Sequence, residues 1–329
     1  MSSAILSKVC TAAAALVVAA AVTACSGGAT DEPPEQYPSQ ELEWTIAFGP
    51  GGGNDIMARK IVEILQGHQL YPHDIVVENR EGGSGSTGWG HVFAEEGSGY
   101  AISTTSGSFI TTPLQADTGW QPQDFTPVGL FATDDALFLL PGTSPVTDWA
   151  GWVEFAKAKG GAVVGGIGTV NVDFIVHSML AEKAGYPIEY VPFNDEGQMQ
   201  TALLSGALDA AVSNPGTVLG QVQAGQLRAL LSTAEQPLPE LPDVPTDAGL
   251  GFTGIPSMPR GLILPPGAPE YAQQWWIETM QQVVQTSEWQ AYVAENHLSV
   301  DVRWGPDFTA YLDQTQGEFR RILTEQGAL

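Results

Sequence analysis

Apolar and polar positions along this chain alternate between two periods, one suited to strands and one to helices. A short apolar run, Trp44 to Phe48, is cut by Gly49, Pro50, Gly51, Gly52 and Gly53, after which Met57, Ile61, Ile64 and Leu65 recur at the spacing of one helix face. The pattern predicts strand, glycine loop and helix, with Asn54 or Asp55 as N-cap. It returns at once. Ile75-Val76-Val77 is a strand, Asn79 to Gly88 a second glycine-rich loop, and Trp89, Val92 and Phe93 the inner face of a helix that stops at Gly97. Tyr100 to Thr105 reads as a third strand ending in Ser106-Gly107-Ser108. The apolar run Ala136 to Leu140, closed by Pro141-Gly142, reads as a strand leading into a crossover.

The second half repeats this grammar. Thr147 or Asp148 caps a helix carrying Trp149, Trp152, Val153 and Ala156, then Ala162-Val163-Val164 is a strand and Gly165 to Thr169 its glycine loop. Asn171 caps a helix with Val172, Ile175, Val176 and Met179 inside. Ile188 to Phe193, Asp209 to Ser213 and Leu227 to Leu231 are further strands, and Asn214-Pro215 reads as a cap with proline at the first helical position. Proline is dense from Gln236 to Pro266, where Gly261 to Leu264 alone looks like a strand. Helices close the chain over Glu270 to Gln285, Glu288 to Glu295, and a last stretch capped by Asp307, with Phe308, Tyr311, Leu312, Phe319, Ile322 and Leu323 as its buried stripe. The alternation predicts an α/β protein of two doubly wound domains with a hinge and a central cleft. Domain 1 is discontinuous, 43–142 plus 255–329, and domain 2 is 143–254.

The N-terminus adds a destination. Lys8, the apolar run Val9 to Ala24 and the small residues at its end describe a secretory signal peptide over residues 1–24. Cys25, directly after Val22-Thr23-Ala24, resembles the lipobox cysteine of bacterial lipoproteins, whose thiol receives lipid. Residues 25–42, with Pro33, Pro34 and Pro38 among acids, read as a lipidated N-terminus and disordered tether. Cys10 and Cys25 are the two cysteines of the sequence, so the expected fold has no disulfide, thiolate metal site or cysteine nucleophile.

Charge then narrows the partners. A net charge of −25 with 12 Lys plus Arg argues against a nucleic-acid partner and offers an anion no long-range steering. A carboxylate site in such a body must work through local amide dipoles, and glycine loops opening onto helix N-termini supply them. Other readings of the first loop remain. A phosphate-binding P-loop fails, because Asn54 and Asp55 stand where lysine and a hydroxyl residue are needed. A dinucleotide loop retains Gly49, Gly51 and an acid at Glu78 but has Asn54 at the third glycine position. A tight turn without a ligand is the plain alternative. The histidines are scattered and no serine elbow is present, so no catalytic residue, metal or cofactor is expected. Asp55 and Arg59 read as a helical ion pair, and Trp89 and Trp120 as packing or as cleft wall.

Seven stretches carry a resemblance. AFGPGGGNDIMAR, DIVVENREGGSGSTG, GYAISTTSGSFITTPL, GGIGTVNVDFIVHSMLAEKAG, YVPFNDEGQMQTALLSGALDAAVSN, VQAGQLRALLS and LPDVPTDAGL resemble, in order and spacing, the substrate-binding proteins of tripartite tricarboxylate transporters, the TctC or Bug family. The resemblance covers nearly everything from Trp44 to Leu264. It implies a two-domain, hinge-closing solute receptor like the type II periplasmic binding proteins; with the lipobox-like Cys25, the expectation is a monomer held by lipid at the outer face of the cytoplasmic membrane. Such a receptor closes on a small carboxylate, di-, tri- or aromatic, and delivers it to a membrane permease without catalysis. The implied ligand residues are Phe48, Gly51, Gly52, Gly53, Asn54 and Asp55 in the first loop and Gly168, Thr169, Asn171 and Asp173 in its counterpart. Gly85, Ser86, Thr87, Ser106, Ser108, Phe193 and Asn214 complete the set. Val191 to Gly197 departs from the family in lacking a lysine and adding Asp195 and Glu196, which weighs against a highly anionic ligand. An exported nucleotide-using enzyme and a ligand sensor for a membrane kinase are the competing functions.

Overall fold

Three parallel strands, each running into a helix, form the heart of both sheets in the computed structural model, which describes residues 32–167, 171–193, 196–252, 254–325, 327 and 329. The signal segment, Cys25, Gly168, Thr169 and the Asn194-Asp195 turn lie outside the described residues. In chain order the first sheet begins with β1 (Leu42–Ile46), α1 (Gly53–Gly67), β2 (Ile75–Asn79), α2 (Ser86–Ala94), β3 (Ala101–Thr104), α3 (Gly107–Gln115) and β4 (Thr126–Asp134). The chain crosses at Asp135-Ala136 to β5 (Leu137–Pro141) and α4 (Trp149–Lys159). The second sheet continues with β6 (Ala162–Ile167), α5 (Val172–Ala184), β7 (Ile188–Phe193), α6 (Glu196–Leu204), β8 (Ala210–Ser213), α7 (Pro215–Gln223) and β9 (Leu227–Ser232). It returns through β10 (Met258–Leu264) and ends in α8 (Glu270–Val283), α9 (Ser287–Glu295), β11 (Arg303–Trp304) and α10 (Pro306–Glu325).

The sheet orders are β11-β4-β10-β3-β1-β2 and β7-β6-β8-β5-β9. β1 lies parallel between β2 and β3, and β6 parallel between β7 and β8. Each trio is flanked by one antiparallel strand contributed after a crossing, β10 beside β3 and β5 beside β8. The two halves are therefore the same doubly wound unit, as the repeated pattern of apolar runs and glycine loops predicts.

Burial explains the strand sequences. β3 and β8 are buried at every position and read as continuous apolar or small-residue runs, whereas the edge strands β2 and β7 are only partly covered. One core packs Trp44, Ile46, Met57 and Ile61 against Trp276, Met280 and Trp289. A second includes Phe308, Leu312 and Phe319 of α10 together with Val172, Ile175 and Val176 of α5, and so spans both sheets. Trp89 and Trp120 are buried in an aromatic cluster with Phe109 and Phe125, which makes them packing residues.

The crossings are tied together at one carboxylate. Asp135, buried between β4 and β5, accepts hydrogen bonds from Ser257 Oγ at 2.6 Å, from Thr133 Oγ1 at 3.3 Å and from Ser299 Oγ. Thr233 Oγ1 in turn accepts from the Ala136 N–H at 2.8 Å and shares a hydrogen bond with Ser257. Burial pushes the Asp135 carboxyl above the usual carboxylate range, against the pull of those three hydroxyls.

Four expectations change. α1 begins at Gly53 with Gly52 as N-cap, so Asn54 and Asp55 lie inside its first turn and neither caps it, because both side chains are held elsewhere. Asp307 likewise sits in the first turn of α10 behind Pro306. α3 is a helix the sequence pattern did not announce, since Pro113 and two threonines mask its apolar face. Residues Glu32 to Glu41 pack on the body instead of forming tether: Tyr37 is buried and donates to Gly99 O at 2.6 Å, and Tyr100 reaches Glu32.

Candidate ligand-binding cleft

Every parallel strand delivers a helix N-terminus to the carboxyl edge of its sheet. In the first sheet these are Gly53, Ser86 and Gly107, and in the second Val172, Glu196 and Pro215. The two edges meet. A Cβ placed on Gly107 at the head of α3 would lie 2.4 Å from Val172 Cγ2 at the head of α5, and Asn214 Nδ2 donates to Asp135 O at 2.9 Å. The heads of α3 and α5 thus meet, with the N-cap of α7 tied to the crossing, at the sheet edges where open α/β proteins hold their ligands.

The first loop is braced from within. Gly51, at φ +82°, takes a conformation that side chains avoid, and its N–H donates to Asp55 Oδ2 at 2.9 Å. Asp55 Oδ1 accepts from Arg59 Nε at 2.9 Å and from Asn79 Nδ2 at 3.0 Å, and that same Nδ2 reaches Phe48 O at 2.9 Å. Burial pushes the Asp55 carboxyl up, but hydrogen bonds from Gly51, Asn79 and Arg59 outweigh it and hold the group below its usual range. The Asp55–Arg59 ion pair is present, and its work is to fix the loop to the end of β2. The Phe48 ring stands edge-on to Trp89 at 5.6 Å.

A cation lies beneath this loop. Arg260 of β10 is buried, donates from Nη2 to Asp134 Oδ2 at 2.5 Å and from Nη1 to Asn54 Oδ1 at 3.1 Å. A Cβ on Gly53 would lie 2.7 Å from Nη2, so the third glycine of the run leaves room for the guanidinium.

The second loop uses the same brace. Asp173 Oδ2 accepts from the Ile167 N–H at 2.8 Å, and Asn171, the N-cap of α5, accepts from the Asp173 N–H at 3.0 Å and the Phe174 N–H at 3.4 Å. Burial raises the Asp173 pKa to about 7, the Ile167 N–H pulls it down, and the charges of Glu196 and Asp134 raise it further. Asp134 stands in the first sheet and Asp173 in the second, which places both carboxyl groups at the meeting of the edges.

A profile of the "Tripartite tricarboxylate transporter family receptor", TctC, matches residues 57–327. The chain belongs to the TctC family. Such receptors are periplasmic solute-binding proteins and not enzymes. This TctC receptor is 25% identical over 240 residues to the protein BugT of Bordetella pertussis strain Tohama I, spanning 70% of this chain and 72% of that protein. In fold it is similar to a TctC solute-binding protein from Polaromonas, with a TM-score of 0.79, 21% identity and coverage of 88% and 99% of the two chains. R. palustris Rpa4515, solved with adipate, has a TM-score of 0.73 at 21% identity, with coverage of 88% and 98%.

The other expected ligand residues of this TctC receptor are spread along the same edges. Gly85, at φ +92°, precedes α2 and leaves space for the Trp89 ring, which a Cβ there would meet at 2.2 Å; Ser86 opens the helix and Thr87 is exposed. Ser106 is the N-cap of α3, and its hydroxyl, like that of Thr104, is buried with no hydrogen-bond partner among the described residues. Ser108 is half-buried in α3, Phe193 half-buried at the end of β7, and the Asn214 amide is turned to the crossing at Asp135. Gly168 and Thr169 fall outside the described residues. Among the described residues no group of three metal-ligating side chains forms. A cavity of about 790 Å³ opens at the crossings, lined by Asp135, Thr233, Ser257, Ser299 and Arg303 among others, and shares no wall residue with the glycine loops. Arg260 and Asp134 are the residues that sequence reasoning missed. Their signal was an arginine inside the apolar run Met258 to Leu264, in a chain with 12 cations in all.

Proposed function

We propose that this receptor captures a small carboxylate between the two rows of helix N-termini and passes it to the permease of a tripartite tricarboxylate transporter. The observation that carries the reading is the matched bracing of the two glycine loops by Asp55 and Asp173 at edges that meet. Each carboxylate accepts one loop N–H, from Gly51 in the first and from Ile167 in the second, and in the first loop that bond holds the turn whose amides face the ligand. The family and the adipate carried by one fold neighbour support the same ligand class. The domain limits 43–142 plus 255–329 and 143–254 are proposed as the two lobes, with the crossings at Asp135 and Ser257 as hinge.

Thermal stability measured with malate, adipate, citrate, benzoate and NAD tests the reading. A ligand at a hundred times its dissociation constant adds about 2.7 kcal/mol to the folded state, a clear rise in melting temperature. A rise with a carboxylate is expected; a rise with NAD alone overturns the proposal in favour of the nucleotide-using enzyme. We further propose that Cys25 carries a lipid anchor. Cys25→Ser should then move the processed protein from the membrane to the soluble fraction, and retention on the membrane would refute the anchor.

A further inference from the structure

Arg260 is an unusual neighbour for the positive end of α1. A buried guanidinium there is tolerated because Asp134 cancels its charge, at 2.5 Å and itself nearly buried. What the cation still does is set the orientation of Asn54. Arginine has donors and no acceptor, so the group that Asn54 turns toward Nη1 must be its oxygen, 3.1 Å away. The opposite amide orientation would set N–H against N–H. The Asn54 NH2 is thereby directed away from the guanidinium, and no acceptor among the described residues takes its hydrogens.

A second idle donor stands nearby. β10 runs antiparallel to β3 with Leu262 opposite Thr104, and the Thr105 N–H donates to Gly261 O at 2.9 Å. Carried one residue past the paired stretch, this register would set Arg260 opposite Ser106, whose hydroxyl is buried without a partner among the described residues. Buried donors are almost always satisfied, so an unpartnered hydroxyl at the head of α3 is a candidate donor to an acceptor that enters there.

We propose that Arg260, neutralised by Asp134, is a positioning residue for recognition: it turns the Asn54 NH2 so that, with the Ser106 hydroxyl, it receives one oxygen of the ligand's carboxylate. This rests on the carboxylate-receptor reading and deepens it. The site then recognises its ligand by neutral donors, and the cation shapes them without itself holding the anion.

Acetate, the smallest probe with this chemistry, tests the proposal in ¹H–¹⁵N spectra. The Asn54 side-chain NH2 resonances should move with acetate together with the backbone amides of Gly51 to Gly53. Arg260→Met should weaken acetate about tenfold, the value of one buried donor. Asn54→Asp keeps an acceptor for Arg260 and adds an ion pair, so the fold should hold while acetate binding falls at least about tenfold. That separates positioning from simple structural support. If the loop amides move and the Asn54 NH2 does not, or if Asn54→Asp or Arg260→Met binds acetate as wild type does, the inference is wrong and the receptor reading stands. If no resonance responds, the carboxylate reading fails and takes the inference with it.

Discussion

Gly88→Ala should destabilise the protein by about 1–3 kcal/mol, while Gly90→Ala, two residues along the same helix, should stabilise it by roughly 0.5–1 kcal/mol. Both changes trade glycine for the best helix former, which favours the folded state by about 1 kcal/mol in a helix interior. The surroundings decide the sign. A Cβ on Gly88 would lie 2.5 Å from Ala47 Cα, 2.9 Å from Ala47 Cβ and 2.9 Å from Arg80 O, and two of those atoms are main chain that cannot swing aside. A Cβ on Gly90 meets nothing closer than Trp120 Nε1 at 3.8 Å, an ordinary contact. Because Ala47 follows β1 and Arg80 follows β2, prising α2 from them also displaces the first two glycine loops. Gly88→Ala should therefore lose ligand affinity in excess of its loss of stability. Urea titration of the pair checks the first claim, since equal midpoints for the two variants would show that the close approach carries no cost.

Asp173→Asn should raise stability at pH 8 by a few kcal/mol and lower or leave it unchanged at pH 4. In the folded protein the Asp173 carboxyl keeps its proton up to about pH 7, whereas an unfolded aspartate releases it near 3.8. Between these values the native state holds a proton that the unfolded state lacks, so stability falls as pH rises through the window. The contribution is full below pH 3.8 and gone above about 7. Asparagine keeps an oxygen for the Ile167 N–H and removes the ionisation. His177 acts in the opposite sense. Burial lowers its pKa to about 4, so it stays neutral when folded and costs stability as pH falls from 6.5. In wild type the two slopes oppose each other between pH 4 and 6.5; in Asp173→Asn the histidine slope remains opposed by the raised carboxyls of Asp135 and Asp247, so stability should rise more steeply with pH than in wild type. Denaturation curves at pH 4, 6 and 8 measure this, and parallel pH profiles for the two proteins would mean that Asp173 ionises normally.

Much of the architecture was legible because strand, glycine loop and helix differ so sharply in local chemistry. Asp148 and Asn171 cap their helices by side-chain hydrogen bonds, as their positions predict. The buried face of α1 holds Met57, Ile61, Ile64 and Leu65, as its period requires. Sequence was less informative where one side chain has several partners to choose from. Asn54 and Asp55 have the chemistry of caps, yet Arg260, 206 positions away from Asn54, and Asn79, 24 away from Asp55, claim them instead. The neutralisation of Arg260 by Asp134 depends on strand pairing across 126 positions and leaves no local pattern. Tyr37 shows the converse error. Three prolines and several acids describe a chain without a core, but one aromatic ring against Tyr100, Tyr271 and Trp275 is enough to seat the segment.

The combination of a −25 body with helix N-termini at the sheet edges gives this receptor two electrostatic fields of opposite sign. The carboxylate proposed above would meet the first within about a Debye length of the surface, where it is repelled; inside the loops it would meet the second, built of buried dipoles that ions in solution screen poorly. Salt thus weakens the barrier to encounter and leaves the grip intact. If the ligand is the carboxylate proposed above, ionic strength should speed its capture, and a saline medium becomes the environment in which recognition by backbone amides works fastest.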